Sequence, residues 1–182
     1  RLEESKRNIV RLGFFEKVEV TPRRGRDDAS MDVLIEVKER HTGTFQIGAG
    51  FSSVEAFIAT AQVSQNNLFG RGQTLSFQGT LSGIRQQINL SFTEPHFLDT
   101  DWLFSFDLFR FELDYIDFLR KSSGGDITLG YRLTDEISAA FTYEHALVDW
   151  TFRSAPNRNE SGLTSSVKGA LTYDSRDNRL FP

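Results

Sequence analysis

From Thr44 onward the chain repeats one pattern, and that pattern restricts the fold more than anything else in it. Phe45, Ile47, Ala49 and Phe51 alternate with Thr44, Gln46, Gly48 and Gly50. Phe57, Ala59, Ala61 and Val63 then alternate with Ile58, Thr60, Gln62 and Ser64. Leu75, Phe77, Gly79 and Leu81 oppose Thr74, Ser76, Gln78 and Thr80, and Ile88, Leu90 and Phe92 oppose Gln87, Asn89 and Ser91. A period of two is the signature of a strand with two unlike faces. The polar face is Thr, Ser, Gln and Asn rather than a second apolar layer, which suits a wet lumen better than a sandwich core.

Aromatic content points the same way. Fifteen of the 17 Phe lie after residue 40, spread over alternating positions in many strands. One small core could not bury them all. No run approaches the roughly 18 apolar residues of a membrane helix. Strands of about 9–11 residues with one lipid-facing side can still span a bilayer.

Later segments extend the series. Trp102, Phe104, Phe106 and Leu108 share one parity and Phe109, Phe111, Leu113 and Tyr115 the other. Such a phase switch suggests a bulge, or a strand rising out of the membrane near Leu108. Ile127, Leu129, Tyr131 and Leu133 form another strand. A further one begins with Ile137, Ala139, Phe141 and Tyr143, with Phe152 as its farthest expected reach. After a polar loop over 154–162, the last strand runs over 163–173. This predicts about eight antiparallel strands, mainly β, in up-and-down order. If residues 38–42 mark one end of the sheet, the connections 66–72, 94–101, 133–136 and 174–182 share that end.

Residues 1–40 differ in character. Leu2, Ile9 and Leu12 fall roughly on one helical face, and Gly13 is a stop signal. Val18, Glu19, Val20 and Thr21 form a strand whose following Pro22 marks it as an edge. Arg23 to Asp28 is expected to be a hairpin tip, and 31–37 a second strand. Helix–strand–strand is the back end of a small α+β module. The chain begins inside a helix and stops at Leu180-Phe181-Pro182 without a closing element, as expected of a piece of a longer protein.

Little chemistry stands out. There is no Cys, hence no disulfide and no thiolate metal site. His41, His96 and His145 have no partners at metal spacing, so neither a metal nor a cofactor is expected. Net charge is −4 with no basic run, so nucleic acid is not an expected partner. Ser91 or Ser138 with His145 is the most that a hydrolase reading offers, and no enzyme activity is expected. Gly48-Ala49-Gly50 and Gly70-Arg71-Gly72 do not lead into helices, unlike phosphate loops. Gly48 and Gly50 either let a barrel curve or leave their strand easier to open. Glu94 and Arg71 are candidates for an ion pair in a network of turns, joined by Arg176, Asp177 and Arg179. Trp102, Tyr115 and Trp150 suit membrane interfaces or loop packing.

Several segments resemble the BamA family of outer-membrane β-barrel assembly factors. Residues 11–18, Arg-Leu-Gly-Phe-Phe-Glu-Lys-Val, look like the second helix and strand of its last POTRA domain. Residues 37–43, Val-Lys-Glu-Arg-His-Thr-Gly, are similar to its junction into the barrel. Asn66-Asn67-Leu68-Phe69-Gly70-Arg71-Gly72, then Thr93-Glu94-Pro95-His96-Phe97, then 174–182 resemble its periplasmic turns, in order.

The resemblance implies a partial POTRA module over 1–40 and the N-terminal half of a 16-stranded transmembrane barrel over 41–182, with Gly43 as hinge. It implies a location in the outer membrane of a Gram-negative bacterium, with 1–40 in the periplasm. Its implied partners are unfolded outer-membrane protein clients, accessory outer-membrane lipoproteins, periplasmic chaperones and the lipid bilayer. The gate strand would be Thr44 to Phe51, pairing with client strands. The edge Val18 to Thr21 would bind partners in the periplasm. An export channel or passive pore is the alternative function.

Overall fold

The computed structural model describes residues 2–25, 31–134, 136–155 and 159–175. Two compact units divide between Gly43 and Thr44.

In the first unit, helix α1 (Leu2–Arg11) ends where the N–H groups of Leu12 and Gly13 bond back to Ile9 and Val10. Gly13 has φ of +72°, the left-handed conformation that closes a helix without a Cβ penalty. Strands β1 (Phe15–Arg24) and β2 (Met31–Glu39) pair antiparallel, with Val18 opposite Val37 and Val20 opposite Ile35. β1 outruns the expected end at Thr21 and takes in Pro22, Arg23 and Arg24. Proline is tolerated because β1 has a neighbour on one side only. The arginines at 23 and 24 are therefore strand residues, and residues 26–28 of the expected tip lie outside the described ones. Val18 is buried, whereas Ile35 and Val37 on the same face remain about half exposed.

The second unit is one antiparallel sheet of eight strands. They are β3 (Gly43–Ser52), β4 (Ala56–Leu68), β5 (Gln73–Ser82), β6 (Arg85–Glu94), β7 (Trp102–Asp114), β8 (Phe118–Arg132), β9 (Ile137–Phe152) and β10 (Asn159–Tyr173). A 3₁₀ turn over Phe97–Asp99 precedes β7. Every strand lies beside its sequence neighbours, from β3 at one edge to β10 at the other. Short connections between amphipathic strands leave few other topologies.

Registers align the alternation across the sheet. Ser64, Ser76, Ser91, Asp107, Asp126, Glu144 and Ser166 form one row on the polar face. The adjacent row, Val63, Phe77, Leu90, Leu108, Gly125, His145 and Ser165, lies on the other face. That face leaves Phe45, Ile47, Phe57, Phe77, Phe141 and Val167 between 48 and 73% exposed. An apolar face this wide is stable against lipid rather than water, and within lipid the backbone must pair strand to strand. No helix among the described residues is long and apolar enough to cross a membrane, which leaves spanning by strands untouched.

The parity switch in β7 is not a bulge. Its ladders to β6 and β8 run without a register shift through Leu108. Instead the faces exchange character. Beyond Leu108 the outer face becomes charged, with Arg110, Glu112, Lys121 and Asp149, and Lys121 Nζ lies 3.2 Å from Glu112. The inner face there becomes apolar, with Phe109, Phe111, Ala146 and Val148 in paired rows. Ala146 and Val148 are only 3% exposed. The exchange fits a strand rising out of the membrane, and the inner face there mixes Phe109 and Phe111 with Gln87, Arg120 and Ser122. Trp150 shares this inner face by register with Arg120, so it does not sit on the outer membrane interface. Trp102 packs against Tyr131 in a tilted pair, ring centroids 4.8 Å apart, at the other end of the outer face.

Neighbouring hairpins are laced at this far end. Arg85 bridges to Glu55 at 3.0 Å, Asp114 N–H donates to Ile84 O, and Arg153 bridges to Asp114 at 2.5 Å.

Gly124 is the glycine of the sheet with the least room for a side chain among the described residues. A Cβ there would stand 2.7 Å from Ala146 Cβ and press on the His145 carbonyl oxygen. Gly124→Val should lower barrel stability by about 1–3 kcal/mol, the usual cost of overpacking, read as a lower urea midpoint for the complete protein in detergent. Gly79→Ala, where nothing lies within 4 Å, should stay within about 0.5 kcal/mol.

Candidate functional site

The residues singled out from sequence fall into three places. Thr44, Phe45, Gln46, Ile47, Gly48, Ala49, Gly50 and Phe51 all lie in β3, which begins one residue earlier than expected, at Gly43. Gly43 is thus the first strand residue, at the boundary between the units. Every residue from Gly43 to Phe51 is exposed, with Phe51 at 83% and Ile47 at 73%. β3 is paired on one side only, to β4. Its other side presents backbone N–H and C=O groups with no strand beside them among the described residues, a template for another strand.

Beyond the backbone, β3 is fastened to β4 by an edge-to-face contact of Phe51 with Phe57 at 6.2 Å and by two hydroxyl contacts. Thr44 and Ser64 hydroxyls are bonded at 2.6 Å, and Thr60 Oγ1 donates to the Gly48 carbonyl at 3.5 Å. Gly48 is required for the second contact, because a Cβ there would meet Thr60 Oγ1 at 2.6 Å. Gly50 has nothing within 4 Å of that position. The two glycines therefore differ: one accommodates a neighbouring hydroxyl, and the other leaves bare backbone.

Val18, Glu19, Val20 and Thr21 lie in the middle of β1, with one open edge. Val18 points into the small core, and Lys17 and Glu19 point away and pair at 2.5 Å. Their hydrogen bond holds the Glu19 carboxyl below its ordinary pKa and the Lys17 ammonium above its own. Both side chains are more than half exposed, so the pair contributes little to stability.

The turn motifs are partly strand. Asn67 and Leu68 belong to the end of β4, where the register shifts between Asn66 and Leu68 and Asn67 takes φ of +65°. The connection proper is Phe69, Gly70, Arg71 and Gly72. Phe69 itself is left-handed at φ +54°, and Gly72 N–H donates to Asn67 Oδ1 at 2.8 Å. Glu94 closes β6 and Pro95 opens the next turn. Arg71 and Glu94 form no ion pair among the described residues. The Glu94 carboxylate instead accepts from Gln73 Nε2 and from the His96 N–H. Arg176, Asp177 and Arg179 of the expected network lie outside the described residues.

Catalytic and metal candidates arrange differently from the sequence reading. His145 pairs with Ser165 rather than with Ser91 or Ser138, its Nδ1 lying 2.9 Å from Ser165 Oγ on the outer face. Ser91 is on the inner face, bonded to Asp107. The signal for Ser165 was absent from linear sequence, because only the β9–β10 register brings it opposite His145. Among the described residues no group of three His, Asp or Glu is placed to hold a metal ion.

The contact between Thr60 and Gly48 makes one expectation. Gly48→Ala should destabilise the barrel by about 1 kcal/mol or more through contact with Thr60, and adding Thr60→Ala should restore most of it. Urea midpoints of the complete protein in detergent give the coupling, and strictly additive effects would contradict the contact.

Comparison with known proteins places this geometry. BamA of Nitratidesulfovibrio vulgaris, named an outer membrane protein assembly factor, is 30% identical over 84% of this chain. BamA of Neisseria meningitidis serogroup B is 27% identical over 94% of it. The chain spans only 18% and 23% of these two relatives. The crystal structure of BamA from Haemophilus ducreyi lacking POTRA domains 1–3 superposes with a TM-score of 0.74 at 22% identity, over 99% of this chain and 39% of that one. That match shows the fold of a BamA-type β-barrel. Residues 67–182 match the Omp85 superfamily domain, and the chain belongs to the Omp85 superfamily.

Proposed function

We propose that this chain is part of an outer-membrane β-barrel assembly factor, in which β3 is the strand that receives clients. The observation that carries the reading is the state of β3: an edge strand exposed from Gly43 to Phe51 and held on one side by β4. A client strand pairing there gains main-chain hydrogen bonds, as in other β-augmentation. Its apolar side chains come to lie beside Phe45, Ile47 and Phe51 and enter lipid with them. No nucleotide is needed, since burial and backbone pairing supply the free energy. The names of the relatives support the assembly role.

In this reading residues 1–40 stand in the periplasm of a Gram-negative bacterium. The open edge of β1 around Val18 and Glu19 offers a second augmentation site, for chaperones or accessory lipoproteins. Gly43 is the hinge between that module and the gate. Because the chain spans under a quarter of the two relatives, the complete barrel would draw on strands beyond these eight, and β3 would meet one of them in a separable seam.

An export channel is the rival, favoured by the polar inner face around Gln78 and Asn89. Photo-crosslinking in cells separates the two, using the complete protein with a probe at Gln46. Gly48 is a poor probe position, because Thr60 fills the space a side chain would need. Assembly predicts capture of nascent barrel proteins through a terminal strand at Gln46. Capture of one passenger at Gln78 or Asn89, with only self-contacts at Gln46, would sink the reading. A verified disulfide across the seam should abolish client insertion; unchanged outer-membrane protein levels would oppose gating.

A further inference from the structure

The end of the sheet where β3 starts carries a polar cleft at the border of the apolar face. Gln73 follows Leu75 and Phe77 in parity, and Glu94 follows Leu90 and Phe92, so both stand on the outer side. Glu94 lies opposite Phe104 by register, and Phe97 of the next connection stacks on Phe104 with ring centroids 4.9 Å apart. Trp102 and Tyr131 continue this aromatic border along the same end. Aromatic girdles of this kind mark the depth of lipid headgroups. The connections 69–72 and 95–101 meet there around a cleft of about 820 Å³.

The cleft carries both signs of charge. Arg71, Glu94, His96, Asp99 and Asp101 all line it. The Glu94 carboxylate is engaged by Gln73 and by the His96 N–H. Arg71, Asp99 and Asp101 form no side-chain ion pair among the described residues. One guanidinium therefore stands among three carboxylates, and three of these four groups have no opposite charge bound to them.

The backbone holds these groups in an uncommon arrangement. Among the described residues five non-glycine residues have positive φ, and four of them are here: Asn67 at +65°, Phe69 at +54°, Leu98 at +56° and Asp99 at +58°. Bulky side chains such as Phe and Leu rarely adopt that conformation, and such strain gathers at functional sites. Its result is that Phe69 and Leu98 project outward, 85% and 78% exposed, on either side of the charged groups in sequence.

We propose that this cleft holds the headgroup of a phosphatidylethanolamine from the leaflet nearest the start of β3. The Arg71 guanidinium takes the phosphate, and Asp99 and Asp101 take the ammonium. Two observations choose the occupant. The cleft adjoins the lipid-facing surface at girdle depth, so phospholipid headgroups are the ligands at hand. Its charges then select among them: a headgroup with phosphate and ammonium meets both signs, whereas a purely anionic one meets three carboxylates with one guanidinium. Phe69 and Leu98 enter the interface beside it. The site acts independently of client pairing at β3.

Native mass spectrometry of the complete protein in detergent tests this with phosphatidylethanolamine and phosphatidylglycerol of identical acyl chains. Both carry the phosphate, and only the first carries the ammonium. The wild type should retain the ethanolamine lipid about threefold to fivefold better, the range of an exposed ion pair. Asp99→Asn combined with Asp101→Asn should abolish that preference, and asparagine suits the left-handed backbone at 99. Arg71→Gln should weaken retention of both lipids alike. All three side chains are exposed, so the urea midpoint should stay at the wild-type value in each variant. Equal retention of the two lipids by the wild type, or an undiminished preference in the double asparagine variant, would overturn the proposal. In the second case, loss of a protein that co-purifies with the wild type would assign the cleft to a protein partner instead.

Discussion

Backbone hydrogen bonds in a medium without water are the constraint on which this structure depends. A strand crossing lipid must have every N–H and C=O paired with a neighbour. From β4 to β9 each strand has two neighbours, and the ladders run with a single register shift, at Asn67. At β3 the same requirement is met on one side only. The demand that makes the middle of the sheet rigid leaves its edge strands, β3 and β10, open to another strand. Function, in the proposed reading, is the remainder of an incomplete hydrogen-bond account.

Side chains reinforce the asymmetry. Between β8 and β9, Gly124 sits hard against Ala146, and large aromatics from β7 share the face, so that Ala146 and Val148 are nearly sealed. Between β3 and β4 the side-chain links are a pair of hydroxyls, one long Thr60–Gly48 bond and an edge-to-face contact of Phe51 with Phe57 at 6.2 Å. A net side-chain hydrogen bond stabilises by about 0.5–1.5 kcal/mol, less than a well-packed aromatic row supplies. Local opening should therefore be easier at β3 than between β8 and β9, where burial is greater.

Much of the architecture was legible in the sequence because strand alternation has a period of two and the hairpins are short. Phe45 to Phe51, Phe57 to Val63 and Leu75 to Leu81 announce their outward faces without help from the rest of the chain. What was not legible depended on register or environment. The parity switch after Leu108 read equally as a bulge or an exit from lipid, and only the unbroken ladders to β6 and β8 decide. Trp150 looked like an interface residue until pairing with Arg120 put it inside. Asn67 and Leu68 have turn composition, yet a left-handed Asn67 lets β4 run on to Leu68 through a bulge. Arg71 and Glu94 carry opposite charge, but Gln73 and the His96 N–H reach the carboxylate instead. Ser165 is twenty residues from His145, a distance no local pattern reports. Of the candidate site, the strand was visible from its residues; its being an edge came from the sheet order.

Hydrogen–deuterium exchange on the complete protein in lipid nanodiscs is the most direct test of a labile β3. Amides over 44–51 should exchange at least about 100-fold faster than those over 120–130 in β8, a gap of roughly 3 kcal/mol in opening free energy. Equal protection of the two segments would show that β3 is sealed as firmly as the centre of the sheet, and the gate reading would fail.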